Sequence, residues 1–232
     1  MKIQILHMVE GAKAARGTAV IIDVFRAFTV EAYLMKNGAA KVIPVGDLEL
    51  AYAYQNAHPD AILVGERHGK ILPGFDFGNS PSQLEHVDLT GKTVIHTTSA
   101  GTQGIANAKD ADEILTGSLV NARAIAAYLR TKNVREVSLV CMGLEAVSQT
   151  EEDNLCAWYI RELLEGREPD ISAEIRKLKT TSGAKFFDPA QQEVFPERDF
   201  HLSTQVDQFD FVLRLVRGEG LGYMELVPVD CR

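Results

Sequence analysis

"TAVIIDVFRAFT", residues 18–29, joins an almost wholly apolar strand to a helical segment, with a carboxylate at the junction. A strand with so few polar residues is typical of a parallel sheet that is buried on both faces. Parallel strands need a crossover connection, and a helix that follows the strand directly supplies one. This stretch therefore predicts an α/β fold.

The same pattern recurs through the first two thirds of the chain. Further apolar, β-rich runs lie at residues 2–9, 41–45, 61–66, 92–98, 113–118 and 136–143. Helical patterns lie between several of them, at residues 27–37, 47–57, 101–109, 119–132 and 150–166. We therefore predict a three-layer α/β/α architecture, in which helices cover both faces of a largely parallel sheet.

The last third of the chain has a different pattern. "SAEIRKLKTTSGAKFF" (172–187) predicts a helix that ends at Gly183. "FDFVLRLVRGEGLGYMELVPV" (209–229) has two β-rich runs around the turn signal "GEGLG", which predicts a C-terminal antiparallel β-hairpin at a sheet edge. No Pro-, Gly- and Ser-rich linker interrupts the sequence. We therefore expect residues 1–232 to form one α/β domain. The alternative is a domain of two lobes with the site in the cleft between them.

Composition excludes several classes of function. The 232-residue chain has a net charge of −8 and no basic cluster, which argues against nucleic acid and anionic membranes as partners. No apolar run reaches the roughly 18–20 residues that span a bilayer, and the first residues lack the pattern of an export signal. Three scattered cysteines form no CxxC pair, so we expect a cytoplasmic protein. A homodimer is the commonest assembly and is our expectation.

Charged residues follow two of the predicted strands. Asp23 and Arg26 follow the second strand, and Glu66, Arg67 and His68 follow the fourth. In open α/β sheets, ligands bind beyond the carboxyl ends of the strands. A core strand does not need a carboxylate followed by an arginine, although Asp23 alone is also explained as a helix N-cap. These residues are therefore candidates for catalysis or ligand binding.

The loop "TTSAGTQG" (97–104) combines hydroxyl groups and glycines just before a predicted helix. Such a loop can present hydroxyls and backbone N–H groups to a phosphate or sulfonate. It lacks the Gly-Lys-Ser/Thr of a Walker A loop, and an ordinary Ser/Thr cap in a tight turn also explains it. The candidate substrate-binding residues are Thr97, Thr98, Ser99, Gly101, Thr102 and, from the preceding loop, His68.

The segment "SQTEEDNLCAWYI" (148–160) opens a helix with three consecutive acids, Glu151, Glu152 and Asp153. Acids in a first turn favour the helix dipole, but three exceed what capping requires. One of them beside Asp23 and Glu66 would complete an oxygen site for a hard cation such as Mg²⁺. The pattern leaves open which of the three points inward.

Four motifs together resemble a known family. "IIDVFRAFT", "GERHGKILPGFDFGNSP", "TTSAGTQG" and "EEDNLCA" occur in the order and spacing of the 2-phosphosulfolactate phosphatase family. The resemblance implies an α/β fold of its own kind and a Mg²⁺-dependent phosphatase. Family members convert (2R)-2-phospho-3-sulfolactate to 3-sulfolactate and phosphate, a step on one route to coenzyme M. Ala100 departs from the pattern, since many members carry Asn there.

The residues and the resemblance lead to one hypothesis about roles. The preferred metal ligands are Asp23 and Glu66, with Glu152 or Asp153 behind them. Arg26 and Arg67 would hold the phosphate and a carboxylate or sulfonate in bidentate fashion. The partner would be a small, anionic, phosphorylated substrate, and another anionic 2-phospho-hydroxy acid is the alternative to phosphosulfolactate.

The nucleophile stays open between the Asp23 carboxylate and a water molecule activated by the metal. Haloacid-dehalogenase enzymes need a second Asp two residues after the first, where this chain has Phe25, so that family is disfavoured. Two rival functions are a lyase or phosphotransferase on a similar substrate, and a non-catalytic protein that binds small anions. The acids argue against the anion-binding protein, since they would repel its ligand.

Overall fold

The strands and helices are those of a computed structural model that describes residues 1–218 and 220–231. Ten strands, β1–β10, lie at Lys2–His7, Thr18–Ile22, Lys41–Pro44, Ile62–Arg67, Lys70–Ile71, Thr93–Thr97, Glu113–Gly117, Glu136–Cys141, Phe211–Val216 and Tyr223–Pro228 in these residues. Eight α-helices, α1–α8, lie in the same residues at Met8–Ala14, Ala27–Lys36, Leu48–Ala57, Gly101–Asn107, Ala122–Thr131, Glu151–Leu164, Ser172–Leu178 and Glu197–Ser203.

The strands form one mixed sheet with the order β1-β8-β2-β7-β9-β10-β3-β6-β4-β5. The first four strands of this order pair in parallel, and so do β3, β6 and β4. The β9–β10 hairpin lies between these two parallel groups and is antiparallel to both neighbours, β7 and β3. The predicted, largely parallel sheet and the antiparallel hairpin are therefore confirmed.

The predicted position of the hairpin, at a sheet edge, is wrong. β9 pairs with β7 and β10 pairs with β3, so the hairpin is central. Its side chains explain this position, because Leu213 packs into the apolar cluster on one face and Val212 into the cluster on the other. A strand buried on both faces belongs inside a sheet. Of the turn "GEGLG", Glu219 lies outside the described residues.

Helices cover both faces of the sheet, as predicted. In β2, Ile21 joins a core shared with α1, α2 and α4, whereas Val20 and Ile22 join a core shared with α5 and α6. α3 covers the second parallel group, where Ala51 packs with Ile95 of β6. No helix in residues 1–218 and 220–231 is long and apolar enough to cross a membrane.

Several predicted boundaries differ from the observed ones by two residues or more, and two of them have a clear local cause. The first strand ends at His7 rather than residue 9, because Met8 takes a φ of +58° and begins α1. The helix predicted to reach Gly183 ends at Leu178. The Thr180 hydroxyl donates to the Lys177 carbonyl at 3.1 Å, and such local side-chain bonds compete with helical ones.

We expect Leu213→Ala to lower the free energy of unfolding by about 2–5 kcal/mol, because it leaves a cavity in the central part of the sheet. Leu50→Ala on α3 is the matched control, since Leu50 is 47% exposed, and its effect should stay within about 0.5 kcal/mol. Urea denaturation of both variants measures the difference. Equal, small losses would contradict the central placement of the hairpin.

Candidate active site

The residues that follow β2, β4 and β6 surround one small cavity of about 120 Å³. Asp23, Glu66 and Thr98 line it from these strand ends, Glu152 lines it from the first turn of α6, and Lys185 from the segment after α7. The ends of β2 and β6 meet closely, because a Cβ on Gly101 would lie 3.1 Å from Asp23 Oδ2. With Arg26 and His68, which also line the cavity, six of the residues predicted for the site are thus brought together.

Glu66 fastens two loops to each other. Its Oε2 accepts a hydrogen bond from the Gly69 N–H, and its Oε1 accepts one from the Ser99 N–H, both at 2.7 Å. The Ser99 hydroxyl adds a third bond at 3.2 Å. Gly69 has a φ of +77° and lies against Phe195, where a Cβ would come within 2.5 Å of the ring. The carboxylate of Glu66 is therefore held in one orientation towards the cavity.

Asp23 lines the cavity and also accepts a hydrogen bond at the start of α2, although the N-cap residue of that helix is Arg26. Its Oδ1 accepts the N–H of Ala27, the first residue of α2, at 3.3 Å. Burial raises the pKa of its carboxyl from 3.8 to about 7, and the neighbouring carboxylates of Glu66 and Glu152 add to the rise, whereas the Ala27 N–H and Lys185 oppose it. A cation beside Asp23 would stabilise its charged form and so lower this pKa.

The three acids at the start of α6 have separate positions. Glu152 faces the cavity, and its Oε2 has no hydrogen-bond partner among the described residues. Asp153 accepts the N–H of Val24 at one oxygen and that of Gly143 at the other, both at 2.8 Å. Asp153 therefore joins the ends of β2 and β8. Glu151 is exposed and lines a different groove.

Arg26 lines the cavity but is also anchored behind it. Its Nη1 donates to Asp199 Oδ2 at 2.8 Å and to the Val194 carbonyl at 2.9 Å. The two charged side chains are 3% and 0% exposed. Asp199 also accepts the Ser80 hydroxyl at 2.8 Å and the Ser82 N–H at 2.9 Å. This network fixes the guanidinium, which leaves Nη2 with one long contact, 3.4 Å to the Gly69 carbonyl.

Arg67 and His68 have different surroundings. The Arg67 guanidinium donates to the Thr97 hydroxyl at 2.9 Å and to the Glu66 carbonyl at 2.6 Å, so it braces β4 against β6 rather than facing the cavity. His68 lines the mouth of the cavity, where its exposed ring meets Glu145 at 2.7 Å.

Most polar groups of the loop 97–104 are hydrogen-bonded to other groups of the protein. Thr98 and Thr102 exchange hydrogen bonds, since each hydroxyl accepts the other residue's backbone N–H at 3.2 Å. The Ser99 N–H and hydroxyl are bound to Glu66. Thr98 and Ala100 are the loop residues that line the cavity. The predicted anion loop thus contributes the wall of the site, and its hydroxyls stabilise that wall.

Sequence reasoning missed three residues of the site. Lys185 is the most consequential, because burial and Arg26 lower the pKa of its ammonium, while Glu152, Asp23 and Glu66 oppose this shift. Its Nζ lies 4.9 Å from the centre of the Phe195 ring, which also packs under the Arg26 guanidinium. Phe195 is the second of these residues and Asp199 is the third. Only a lysine followed by two aromatics, "KFF", gave a local signal for this cluster.

Comparison with known proteins identifies the family of this chain. The family model described as 2-phosphosulpholactate phosphatase matches residues 4–218. The chain belongs to this family. Three relatives, each named a probable 2-phosphosulfolactate phosphatase, show its range. The identities are 32% over 213 residues with the protein of Caldanaerobacter subterraneus subsp. tengcongensis, 30% over 197 with that of Bacillus subtilis, and 37% over 157 with that of Caldicellulosiruptor saccharolyticus.

The matches cover these relatives of the 2-phosphosulfolactate phosphatase family to different extents. They span 86% of this chain and 88% of the Caldanaerobacter protein, and 84% of this chain and 86% of the Bacillus protein. For the Caldicellulosiruptor protein the shares are 66% of this chain and 64% of the relative, just under two thirds of its length.

We expect Asp23→Asn to stabilise this family member at pH 8 in EDTA and to change it little at pH 4. The folded-state pKa of about 7 lies above the value of 3.8 for an unperturbed aspartate, so the folded protein binds the proton more tightly. The tighter binding of this proton stabilises the folded wild-type protein fully below about pH 4, and this contribution is lost as the pH rises through about 7. Asn keeps the neutral form at all pH values.

Thermal unfolding from pH 4 to pH 8 measures this effect, and we expect a gain in Tm of at least about 2 °C at pH 8. Asp60→Asn, at an exposed position, is the control, and its difference from the wild type should not depend on pH. A wild-type protein that is as stable relative to Asp23→Asn at pH 8 as at pH 4 would contradict the raised pKa.

Proposed function

We propose that the chain is a Mg²⁺-dependent phosphatase that hydrolyses the phosphate monoester of a 2-hydroxy acid, with (2R)-2-phospho-3-sulfolactate as its substrate. One observation carries the proposal. Three buried carboxylates, a lysine and an anchored arginine converge on a single cavity at the strand ends. Such a mixture of acids and cations suits a metal together with a phosphate, whereas a site for an anion alone would exclude the acids.

The carboxylates fit a magnesium ion. Glu152 has a buried oxygen without a hydrogen-bond partner among the described residues, and burial, together with the carboxylates of Glu66 and Glu152, raises the pKa of Asp23. Among the described residues, no group of three or more His, Cys, Asp or Glu side chains is arranged to hold a metal by itself. Mg²⁺ typically takes one or two carboxylates and completes its shell with waters and substrate phosphate. We therefore assign Asp23 and Glu152 as its ligands.

Glu66 and Asp153, the other predicted ligands, take supporting roles in this proposal. Both oxygens of Asp153 are occupied by backbone N–H groups, so this carboxylate positions the strand ends that carry Asp23. Glu66 is oriented by Gly69 and Ser99 and adds negative charge beside the metal ligands. When bound, the cation would neutralise charge on the phosphate oxygens.

Lys185 and Arg26 are the chain's own groups for the phosphate. Both cations line the cavity, and the Arg26–Asp199 pair prevents the guanidinium from following the substrate. Fixed donors of this kind stabilise the charge that develops on the transferred phosphoryl group. In this proposal Arg67 supports the wall of the site and does not contact the substrate.

For the nucleophile we favour water over Asp23. Aspartyl-phosphate enzymes of the haloacid-dehalogenase type use a carboxylate two residues after the nucleophile. Here that residue is Phe25, whose ring packs against Phe186 at 5.1 Å and Phe200 at 5.5 Å between ring centres. The position is thus occupied by an apolar cluster, which cannot transfer a proton.

Phosphate release from racemic 2-phosphosulfolactate, 2-phospholactate and an aryl phosphate, each with Mg²⁺ or EDTA, tests the proposal. We expect release that requires Mg²⁺ and is fastest with the sulfonated ester. Metal-dependent release without that preference would point to another 2-phospho-hydroxy acid. Mass spectrometry of the organic product identifies hydrolysis by its hydroxyl group, and an unsaturated product would identify a lyase instead. No release from any ester would contradict the proposal.

Neighbouring acids supply a matched pair of variants. Glu152→Gln should lower kcat/KM by at least about 100-fold, because it removes a metal ligand. Glu151→Gln is the matched control, since it changes an exposed acid one residue away. Lys185→Ala should lower kcat by about 100-fold or more through lost charge stabilisation. Similar losses in both glutamine variants would show that Glu152 has no special role at the metal.

A further inference from the structure

A second cavity, of about 400 Å³, adjoins the candidate active site. Arg26, Gly69 and Asn79 line both cavities, so these three residues form the boundary between them. The mechanism proposed above uses only the first cavity. Lys70, Gln83 and Glu193 line the second cavity and not the first.

Asn79 is the residue at this boundary that lacks a structural explanation. It is only 6% exposed, and its Oδ1 is buried without a hydrogen-bond partner among the described residues. A buried amide without partners costs free energy, so such a group usually meets a ligand or an ordered water. Rotation about χ2 exchanges the amide oxygen and nitrogen, which lets Asn79 present either a carbonyl or two N–H donors to a ligand.

The other polar groups of the second cavity are mainly donors. Arg26 Nη2 has only its 3.4 Å contact to the Gly69 carbonyl. Gln83 Oε1 accepts the Gly78 N–H at 2.9 Å, and this bond occupies the amide oxygen and leaves the N–H₂ group for other partners. Lys70 is exposed, and among the described residues its ammonium forms no ion pair. Against these two cations stands one carboxylate, Glu193.

We infer that the second cavity is a subsite for an oxyanionic group, a carboxylate or sulfonate, that the substrate carries in addition to its phosphate. Arg26 would lie between the two groups, with Asn79 beside it and Lys70 at the far end as the residue that determines specificity. The inference rests on the proposed function, because it requires the phosphate to occupy the first cavity.

The position of Arg26 gives the subsite a defined relation to the chemistry. Nη1 is committed to Asp199 and Val194, so the guanidinium cannot turn to serve one cavity at the expense of the other. A substrate with two anionic groups on neighbouring carbons would contact both sides of this fixed group. An ester with a single anionic group would use one side only, so the two classes of substrate would be discriminated without a change in the catalytic residues.

Lys70→Ala and Lys70→Glu test the subsite, with Lys92→Ala as the control at another exposed lysine. We measure kcat/KM for 2-phosphosulfolactate and for an aryl phosphate. For Lys70→Ala the ratio of the two values should fall about tenfold, mainly through KM, and for Lys70→Glu further, because a charge-assisted bond is replaced by repulsion. Lys92→Ala should keep the ratio. An unchanged ratio in Lys70→Glu would overturn the inference.

A binding experiment keeps the subsite separate from the proposed catalysis. Calorimetric titration with 3-sulfolactate and with inorganic phosphate needs no turnover. We expect Lys70→Glu to raise the Kd of 3-sulfolactate about tenfold and to affect that of phosphate less. A wild-type protein that is inactive on every ester would contradict the phosphatase alone, and the titration would still decide the subsite.

Two outcomes of the titration would overturn the subsite. Equal changes in the Kd of 3-sulfolactate and phosphate would mean that Lys70 acts only through the overall field. Inorganic sulfate that binds in a Lys70-dependent manner without competing with 3-sulfolactate would place a free anion, rather than a group of the substrate, in the second cavity.

Discussion

The buried ion pair between Arg26 and Asp199 is the interaction on which the site depends. Neither charge can be left alone in the interior, because an uncompensated buried charge costs several kcal/mol. The pair therefore fixes α8 and the segment before it above the end of β2. This segment brings Lys185 and Phe195 to the cavity. Without the pair, the cavity would lose its cover and the boundary that separates it from the second cavity.

The site combines carboxylates that repel one another with side-chain cations that offset part of that repulsion. Asp23, Glu66 and Glu152 are each nearly buried, and each lies close enough to raise or share the electrostatic cost of the others. Grouping buried carboxylates in this way destabilises a fold, and such destabilising groups are common at functional sites. Lys185 and Arg26 offset part of the cost within the chain. The repulsion among the carboxylates that these two cations leave uncompensated would favour the binding of a metal cation and then of an anion.

Strand-end reasoning placed Asp23, Glu66 and Thr98 near one another, with one of the acids 151–153 beside them, because the order of strands and helices dictates which loops share an edge of the sheet. It could not choose among the acids 151–153, since their roles depend on which backbone groups of β2 and β8 lie opposite. Lys185 and Asp199 were missed for a similar reason: only tertiary packing joins their segment to Arg26. The hairpin was placed wrongly because local alternation does not reveal pairing partners far apart in sequence.

The central hairpin also constrains the order of events during synthesis. β9 and β10, the last strands in sequence, separate two groups of strands that the ribosome releases earlier. Until residues 211–228 emerge, β7 and β3 each present an open edge, which is a template for pairing with other chains. Early segments can thus gather their helices, but the two parallel groups of strands join into one sheet only after β9 and β10 have been made.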